Sequence, residues 1–283
     1  MASAPEVLGG GARRAVQPVG HIGDASLAWG LGVAEIDDRR HDFRLTVRRH
    51  RHVGIEIARP PTSPMSADLP LEHVSIEPNV ATDGPAPSVF VLHGRGADEE
   101  DLLSVAQRLP DELHVVSLRA PNRLMGGYTW YELDVPDGDL HRSQPVIEEF
   151  RRSLDLVSET IDAAIDAYDL DPDRVGLLGF SQGAISSLSL LVEEPDRYAW
   201  VVALHGYLAE SHADADPDGI EDTPAFVGSG AADRIIPSSR AEAAADRLRE
   251  MGCPVEAHEY GSAHGIAPDE LADVVEWVEA RLV

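Results

Sequence analysis

The 283-residue sequence contains a single cysteine, Cys253, and no lysine. One cysteine excludes an internal disulfide and any metal site built from several cysteines. It also fits a reducing compartment, so we expect a cytoplasmic protein. Cys253 itself is most simply interpreted as a small buried apolar residue. The sequence lacks a run of roughly 18 apolar residues, the length that a membrane-spanning helix needs, and we therefore expect no membrane span.

Positive charge is scarce along the chain. It has 50 acidic residues against 23 arginines, and its formal net charge is −27. Such a charge repels phosphate backbones and anionic lipid, so no nucleic-acid partner is expected. An acidic, lysine-free chain with an ordinary apolar fraction is typical of organisms that live in high salt, where concentrated ions screen the protein surface. The charge therefore predicts a habitat and excludes one class of ligand, but it indicates no reaction.

The first 64 residues differ from the rest of the chain. They hold nine arginines and seven acids, whereas residues 65–283 hold 14 arginines and 43 acids. Their centre reads RRHDFRLTVRRHRH, and they show no sustained helical or strand period. We expect little stable structure in this segment.

Three interpretations of residues 1–64 stay open. The segment could be a twin-arginine export signal, because Arg13 and Arg14 precede the apolar stretch ASLAWGLGV, although polar residues intervene. It could be a basic arm for a partner. The interpretation that we favour is that translation starts at Met65 and that residues 65–283 form the functional domain.

From Leu71 onward, strand-like and helix-like apolar patterns alternate. Strands alternating with helices predict crossover connections, and hence a mostly parallel, twisted α/β sheet with helices on both faces and no large cap domain. The predicted strands are EHVSIEP, PSVFVLHG, HVVSLRAP, RVGLLGF, AWVVALHG, PAFVGSG and CPVEAHEY. The predicted helices are DEEDLLSVAQRLP, about 146–168, AISSLSLLVEE, SRAEAAADRLREMG and DELADVVEWVEARLV.

The stretch LLGFSQGAISSLSLL contains a candidate nucleophile. Ser181 lies between Gly179 and Gly183, after a predicted strand and before a predicted helix, and so fits the pattern G-x-S-x-G. Glycines at these positions leave room for a strained turn that lifts the serine hydroxyl clear of the sheet. A plain small-residue turn fits the same five letters, but the position between strand and helix favours a nucleophile.

A serine nucleophile needs a base, and the base needs an orienting carboxylate. His264 is the candidate base, because it lies in a glycine-rich loop between the last predicted strand and the last predicted helix. His258 is the alternative, but it lies within a strand. Asp233 is the candidate acid, since it ends the segment AFVGSGAAD and completes the order serine, acid, histidine. Asp222 precedes the same strand and is the weaker candidate.

The stretch LHGRGAD, directly after PSVFV, is a candidate oxyanion loop. A tetrahedral intermediate carries negative charge on oxygen, which backbone N–H groups can stabilise. Gly94 and Gly96 leave this backbone free to turn inward, so we predict the amides of Arg95 and Gln182 as the donor pair. An ordinary phosphate-binding loop is disfavoured, because neither G-K-[ST] nor G-x-G-x-x-G is present.

With these motifs in place, residues from roughly Glu72 to Val283 resemble the phospholipase/carboxylesterase family of serine α/β-hydrolases, which includes acyl-protein thioesterases. The resemblance rests on LHGRGAD, GFSQGA, GAADRIIP and GSAHG, in that order. It implies the α/β-hydrolase fold, with Ser181, Asp233 and His264 as nucleophile, acid and base.

The resemblance extends to residues around the candidate site. Arg95 corresponds to the loop residue that contributes to the oxyanion hole. The segment YTWYEL resembles the family's aromatic stretch beside the active site, which implies that Trp130 and Tyr131 form a wall of the substrate pocket. Eukaryotic thioesterases usually have leucine where this chain has Arg95. The arginine would favour acidic or polar acyl groups, unless its side chain is simply solvated.

Together these features predict a serine hydrolase that cleaves carboxylic esters or thioesters through an acyl-enzyme intermediate. We expect no cofactor and no metal, and a small-molecule ester or thioester as the substrate. The alternatives are a lactonase or peptidase on the same scaffold, and a non-catalytic binding protein that retains the fold.

Overall fold

The computed structural model describes residues 67–282, so the interpretations of residues 1–64 concern residues outside the described range. Within it, the predicted strands are present and most alternate with helices, but four short strands that the sequence analysis does not predict lie between residues 122 and 145. The strands are β1 (His73–Ile76), β2 (Ala86–Leu92), β3 (His114–Leu118), β4 (Asn122–Leu124), β5 (Gly127–Thr129), β6 (Leu133–Asp134), β7 (Gln144–Pro145), β8 (Leu170–Phe180), β9 (Trp200–Leu204), β10 (Ala225–Gly230) and β11 (Val255–Tyr260). The helices are α1 (Leu103–Ala106), α2 (Ile147–Tyr168), α3 (Gln182–Glu193), α4 (Glu210–Ala213), α5 (Ser238–Glu250) and α6 (Pro268–Glu279).

Seven strands form the central sheet, in the order β1-β3-β2-β8-β9-β10-β11. Only β1 runs antiparallel to its neighbour in this sheet, and the other pairs are parallel. The remaining four strands form two short hairpins, β4-β5 and β6-β7. The prediction of a mostly parallel α/β sheet is confirmed. As a consequence, the carboxyl ends of β2, β8, β9, β10 and β11 share one edge of the sheet, where loops can combine into a site.

The buried parts of the central strands are mostly apolar because helices cover both faces of the sheet. Helices α2, α3 and α5 contribute to the apolar cluster on one face, and α1 and α6 contribute to the cluster on the other. Helix α2 shows how the sequence produces this layer. Its buried apolar residues recur every three or four positions, which forms a single stripe against the sheet. They are Phe150, Leu154, Val157, Ile161 and Ala164.

The segment DEEDLLSVAQRLP differs from its prediction. Only Leu103–Ala106 is α-helical, although the pattern predicts a longer helix. The backbone on either side closes tighter turns, with the Leu103 amide donating to the Glu100 carbonyl and the Arg108 amide donating to the Val105 carbonyl. Such bonds to the third preceding residue shorten the regular helix.

No helix within residues 67–282 combines the length and apolar character needed to cross a membrane.

Candidate active site

Ser181 lies on a sharp turn between β8 and α3. Its φ of 53° and ψ of −114° are unusual for a residue with a side chain, and such backbone strain costs about 1–3 kcal/mol. The flanking glycines allow the turn. A Cβ atom on Gly179 would lie 2.3 Å from the Gly183 carbonyl carbon, and one on Gly183 would lie 2.0 Å from the Leu92 carbonyl oxygen. The amide of Ser181 donates to the Leu204 carbonyl at 2.9 Å, which ties the turn to β9.

His264 lies in the loop between β11 and α6 and bridges the predicted nucleophile and acid. Its Nδ1 atom is 2.6 Å from Oδ2 of Asp233, and its Nε2 atom is 2.9 Å from Oγ of Ser181. Because an ionised carboxylate only accepts hydrogen bonds, Nδ1 carries the proton. Nε2 then accepts the hydrogen bond from the serine hydroxyl. The structure thus brings Ser181, His264 and Asp233 into one hydrogen-bonded chain.

Asp233 follows β10, and its side chain is fully buried. Oδ1 accepts hydrogen bonds from the amides of Ile235 at 2.8 Å and Ile236 at 3.0 Å, while Oδ2 faces the imidazoles of His205 and His264. Burial on its own raises the pKa of Asp233, but the hydrogen bonds from the two histidines and the backbone outweigh it and lower the pKa below its usual value. The carboxylate is therefore ionised at neutral pH.

The two weaker candidates lie elsewhere. His258 projects from β11, where its Nε2 atom is 2.9 Å from Oε1 of Glu256 and its ring stacks on Phe226. Asp222 ends a short 3₁₀ turn before β10, at the opposite edge of the sheet from Asp233. Neither residue joins the hydrogen-bonded group of Ser181, His264 and Asp233.

The loop after β2 lies against the nucleophile turn. A Cβ atom on Gly94 would lie 3.0 Å from the ring of Phe180 and 3.5 Å from Cβ of Ser181. Gly96 has a φ of +84°, and its amide donates to the Tyr128 carbonyl at 2.7 Å, which fastens the loop to the β4-β5 hairpin. Within residues 67–282, no acceptor pairs with the backbone amides predicted to form the oxyanion hole, those of Arg95 and Gln182.

The side chain of Gln182 links α3 to the segment after β5. Its Oε1 atom accepts hydrogen bonds from the hydroxyl of Thr129 at 2.9 Å and the amide of Trp130 at 3.2 Å. Its Nε2 atom donates to the Tyr131 carbonyl at 2.8 Å. Because Gln182 directly follows the nucleophile, these bonds make segment 129–131 a support for the turn.

The structure places Trp130 and Tyr131, the predicted pocket-wall residues, in the protein interior. Both residues are wholly buried, so neither offers a surface to an entering substrate in this structure. The indole N–H of Trp130 donates to the His93 carbonyl at 2.8 Å, and the hydroxyl of Tyr131 donates to the Gln182 carbonyl at 3.4 Å. One hydrogen bond from the polar atom of each ring thus holds the aromatic stretch in the interior.

Arg95 has a charged partner. Its guanidinium lies 3.0 Å from the carboxylate of Glu132, and about a quarter of its side chain is exposed. The positive charge near the nucleophile loop is therefore balanced locally. Because Glu132 neutralises Arg95, this pairing argues against Arg95 selecting substrates with acidic acyl groups.

The sequence analysis missed two buried residues that continue the chain beyond Asp233. His205, directly after β9, has Nδ1 at 3.2 Å from Oδ2 of Asp233 and Nε2 at 3.2 Å from Oε2 of Glu270, in the first turn of α6. Neither side chain is exposed to solvent. The available signal was the position of His205 at the carboxyl end of a central strand, where Ser181 and Asp233 also lie. Glu270 resembled an ordinary acidic residue in the first turn of a helix.

A metal ion at this site would have to bind side chains that already form the hydrogen-bonded chain. Within the described range, ligand atoms of His205, Asp233 and His264 lie within 4.8 Å of one another and have the composition of a metal site. These atoms already hydrogen-bond to each other, and a bound ion would have to replace the bond between Asp233 and His264. The arrangement is thus suited to proton transfer from a serine.

Comparison with known proteins agrees with the geometry. The family model described as Phospholipase/Carboxylesterase matches residues 76–282. An acyl-protein thioesterase 1 from Debaryomyces hansenii is 29% identical over 161 residues, which cover 54% of this chain and 68% of that protein. A putative hydrolase of Bacillus subtilis, MhqD, is 25% identical over 195 residues, covering 69% and 94% of the two chains.

Solved structures share the fold. A carboxylesterase from Bacillus cereus superposes with a TM-score of 0.65 at 22% identity, covering 75% of this chain and 94% of its own. A carboxylesterase from Mesorhizobium loti has the same TM-score at 23% identity, with coverage of 75% and 96%. From the family match and the architecture together, the chain belongs to the phospholipase/carboxylesterase family of α/β-hydrolases, and it is a hydrolase of carboxylic esters or thioesters.

Proposed function

We propose that the protein cleaves small-molecule esters or thioesters through an acyl-enzyme intermediate on Ser181. The observation that carries this proposal is the continuous chain from Oγ of Ser181 through the His264 ring to Asp233, with separations of 2.9 and 2.6 Å. Both are hydrogen-bond distances, so Ser181 can pass its proton directly to Nε2 of His264 while Asp233 orients the ring.

In the first half-reaction, Oγ of Ser181 bonds to the substrate carbonyl carbon while its proton moves to Nε2 of His264. The tetrahedral intermediate collapses as the bond to the leaving oxygen or sulfur breaks, and the imidazolium returns the proton to that atom. Water then repeats the sequence on the acyl-serine, so the acid is released and the serine hydroxyl is restored. Asp233 fixes the histidine tautomer and stabilises the imidazolium in both halves.

The negative oxygen of each intermediate is stabilised by the amides of Arg95 and Gln182. Two features support this role: both amides lack an acceptor within residues 67–282, and the loop of Arg95 contacts the nucleophile turn through Gly94. Gln182 also begins α3, whose dipole places partial positive charge at its first turn. Only the backbone of Arg95 takes part, since its side chain pairs with Glu132.

Several further assignments complete the proposal. Residues 65–283 form the hydrolase domain, which the family match over 76–282 supports. Trp130 and Tyr131 act as supports for the turn rather than as substrate contacts, and their burial supports this role. The protein works in the cytoplasm, for which the single, buried cysteine is the supporting feature.

The test is turnover of a panel of p-nitrophenyl esters and matched thioesters in high salt. Ser181→Ala is expected to lower kcat at least about 10³-fold while the protein stays folded, because the attacking oxygen that His264 would activate is removed. The matched control is Ser189→Ala, which removes a buried hydroxyl on α3, the helix after Ser181; this hydroxyl has no hydrogen-bond partner among the described residues. A fluorophosphonate should label the wild type at Ser181. Full turnover by Ser181→Ala would contradict the proposal and show that another residue attacks the substrate. A wild type that neither turns over an ester nor is labelled would contradict it in favour of a binding protein.

A further inference from the structure

The hydrogen-bonded chain of the site continues past Asp233 into the protein interior. Oδ2 of Asp233 serves two imidazoles at once, His264 at 2.6 Å and His205 at 3.2 Å, and the second ring nitrogen of His205 lies 3.2 Å from Glu270. An ionised carboxylate accepts hydrogen bonds but donates none. His205 therefore satisfies both carboxylates only when both of its ring nitrogens carry protons.

Charge and burial agree with a protonated His205. Burial alone would lower the pKa of His205. The hydrogen bonds and negative charges of Asp233 and Glu270 outweigh burial and raise this pKa from 6.5 to about 9. The other rings against it are Phe180, at a centroid distance of 5.5 Å, and His264, at 5.6 Å. With His205 positive and the two carboxylates negative, the buried group has a net charge of −1. Protonation of His264 during catalysis brings the total to zero.

The backbone is shaped to keep these groups in place. His205 has a φ of 55°, in the left-handed region that residues with side chains seldom adopt, and its amide donates to the Gly228 carbonyl at 2.8 Å. A Cβ atom on Gly228 would lie only 2.4 Å from Oε1 of Glu270, so the glycine makes the space that this carboxylate occupies. Oε2 of Glu270 also accepts a hydrogen bond from the Ala267 amide at 3.1 Å. The strained backbone at His205 and the glycine at 228 therefore both accommodate the buried pair of His205 and Glu270.

We propose that His205 is a positioning residue of the site: as an imidazolium it holds the Asp233 carboxylate in the orientation that His264 needs, and Glu270 keeps His205 in that role. This inference rests on the proposed function. His205 is wholly buried and acts through Asp233, so its loss lowers kcat and leaves KM unchanged. A neutral imidazole offers one N–H to two carboxylates, so kcat also declines as the pH rises through about 9.

The experiment compares two variants in a Glu270→Gln background, which avoids leaving an unpaired buried carboxylate. His205→Asn retains an amide N–H donor for Asp233 and does not titrate, whereas His205→Ala retains no donor. We expect kcat in the alanine variant to be about tenfold lower or more, and kcat in the asparagine variant to stay within about threefold of the Glu270→Gln parent, with KM constant in all. The fall in wild-type kcat near pH 9 should be absent from the asparagine variant.

The outcomes separate this inference from the proposed function. Loss of ester turnover in Ser181→Ala establishes that the assay reports the site. With that in hand, an alanine variant that keeps its parent's kcat overturns the role of His205. Where the alanine variant does not fold, the asparagine variant decides, because an unchanged fall in kcat near pH 9 also overturns the proposal. His258→Ala, at an exposed histidine of the edge strand β11, serves as the control and should match the wild type throughout.

Discussion

His205 should make the free energy of unfolding depend on pH within a defined window. Its pKa is about 9 in the folded protein against 6.5 for an unperturbed histidine. A raised pKa contributes stability that is fully present below about pH 6.5 and is lost as the pH rises through about 9. At about 1.4 kcal/mol for each pH unit, the whole contribution is about 3 kcal/mol, of which about 2 kcal/mol should be lost between pH 6.5 and 8.5.

The window from pH 6.5 to 8.5 isolates His205 from other groups. Burial lowers the pKa of His93 and of His114, so their contributions are lost as the pH falls below about 6.5 and are constant above it. Burial raises the pKa of the Cys253 thiol to about 12 from 9.0, so its contribution changes only above about pH 9. Neither effect falls inside the window.

The assay is urea unfolding at constant salt and at several pH values between 6.5 and 8.5. The double variant His205→Asn with Glu270→Gln carries no titrating group in this pair and should show a flat profile over the same range. A wild-type unfolding free energy that stays constant within about 0.5 kcal/mol would refute the reasoning. So would an equal decline in the double variant, since the loss would then come from another group.

Three further predictions concern the nucleophile turn, the oxyanion loop and the acidic surface. Gly183→Ala should lower the melting temperature and abolish ester turnover, since its Cβ would lie 2.0 Å from the Leu92 carbonyl, whereas Gly261→Ala, with nothing within 4 Å, should change little. Arg95→Leu should keep kcat within about threefold, because only the backbone amide acts on the substrate; a loss of about 10²-fold would show that the side chain takes part. Raising KCl from 0.1 to about 2 M should raise the melting temperature, because a net charge of −27 is then screened, and a constant value across that range would contradict this.

The candidate site was largely predictable because its residues follow the rules of a parallel sheet. Ser181, Asp233 and His264 each follow a strand that the apolar pattern identifies, and the carboxyl ends of parallel strands meet at one edge. The glycines around Ser181 were equally informative, since the turn leaves no space for a Cβ at those positions. Local chemistry and strand order were sufficient to predict that these three side chains lie together, as they do in the structure.

The parts that escaped prediction depend on side-chain direction in three dimensions. His205 is one of 12 histidines, and nothing in the letters ALHGYL shows that its ring turns inward between two carboxylates. Glu270 does not stand out in the sequence, because acidic residues also lie in the first turn of other helices such as α2. Trp130 and Tyr131 resembled a pocket wall because aromatic residues often line pockets, and only the bonds from Gln182 reveal that their segment is held inside.

The order of strands in the sheet has a consequence for how the enzyme fails under stress. Five adjacent strands, β2, β8, β9, β10 and β11, each precede one part of the site: in that order, the oxyanion loop, Ser181, His205, Asp233 and His264. The catalytic base therefore follows β11, the edge strand of the sheet. Most residues of β11 are exposed, and it pairs with a single neighbour in the sheet. Fraying at this border removes the imidazole from the serine while the interior strands stay paired. We therefore expect mild denaturant to abolish activity before it abolishes the circular dichroism signal.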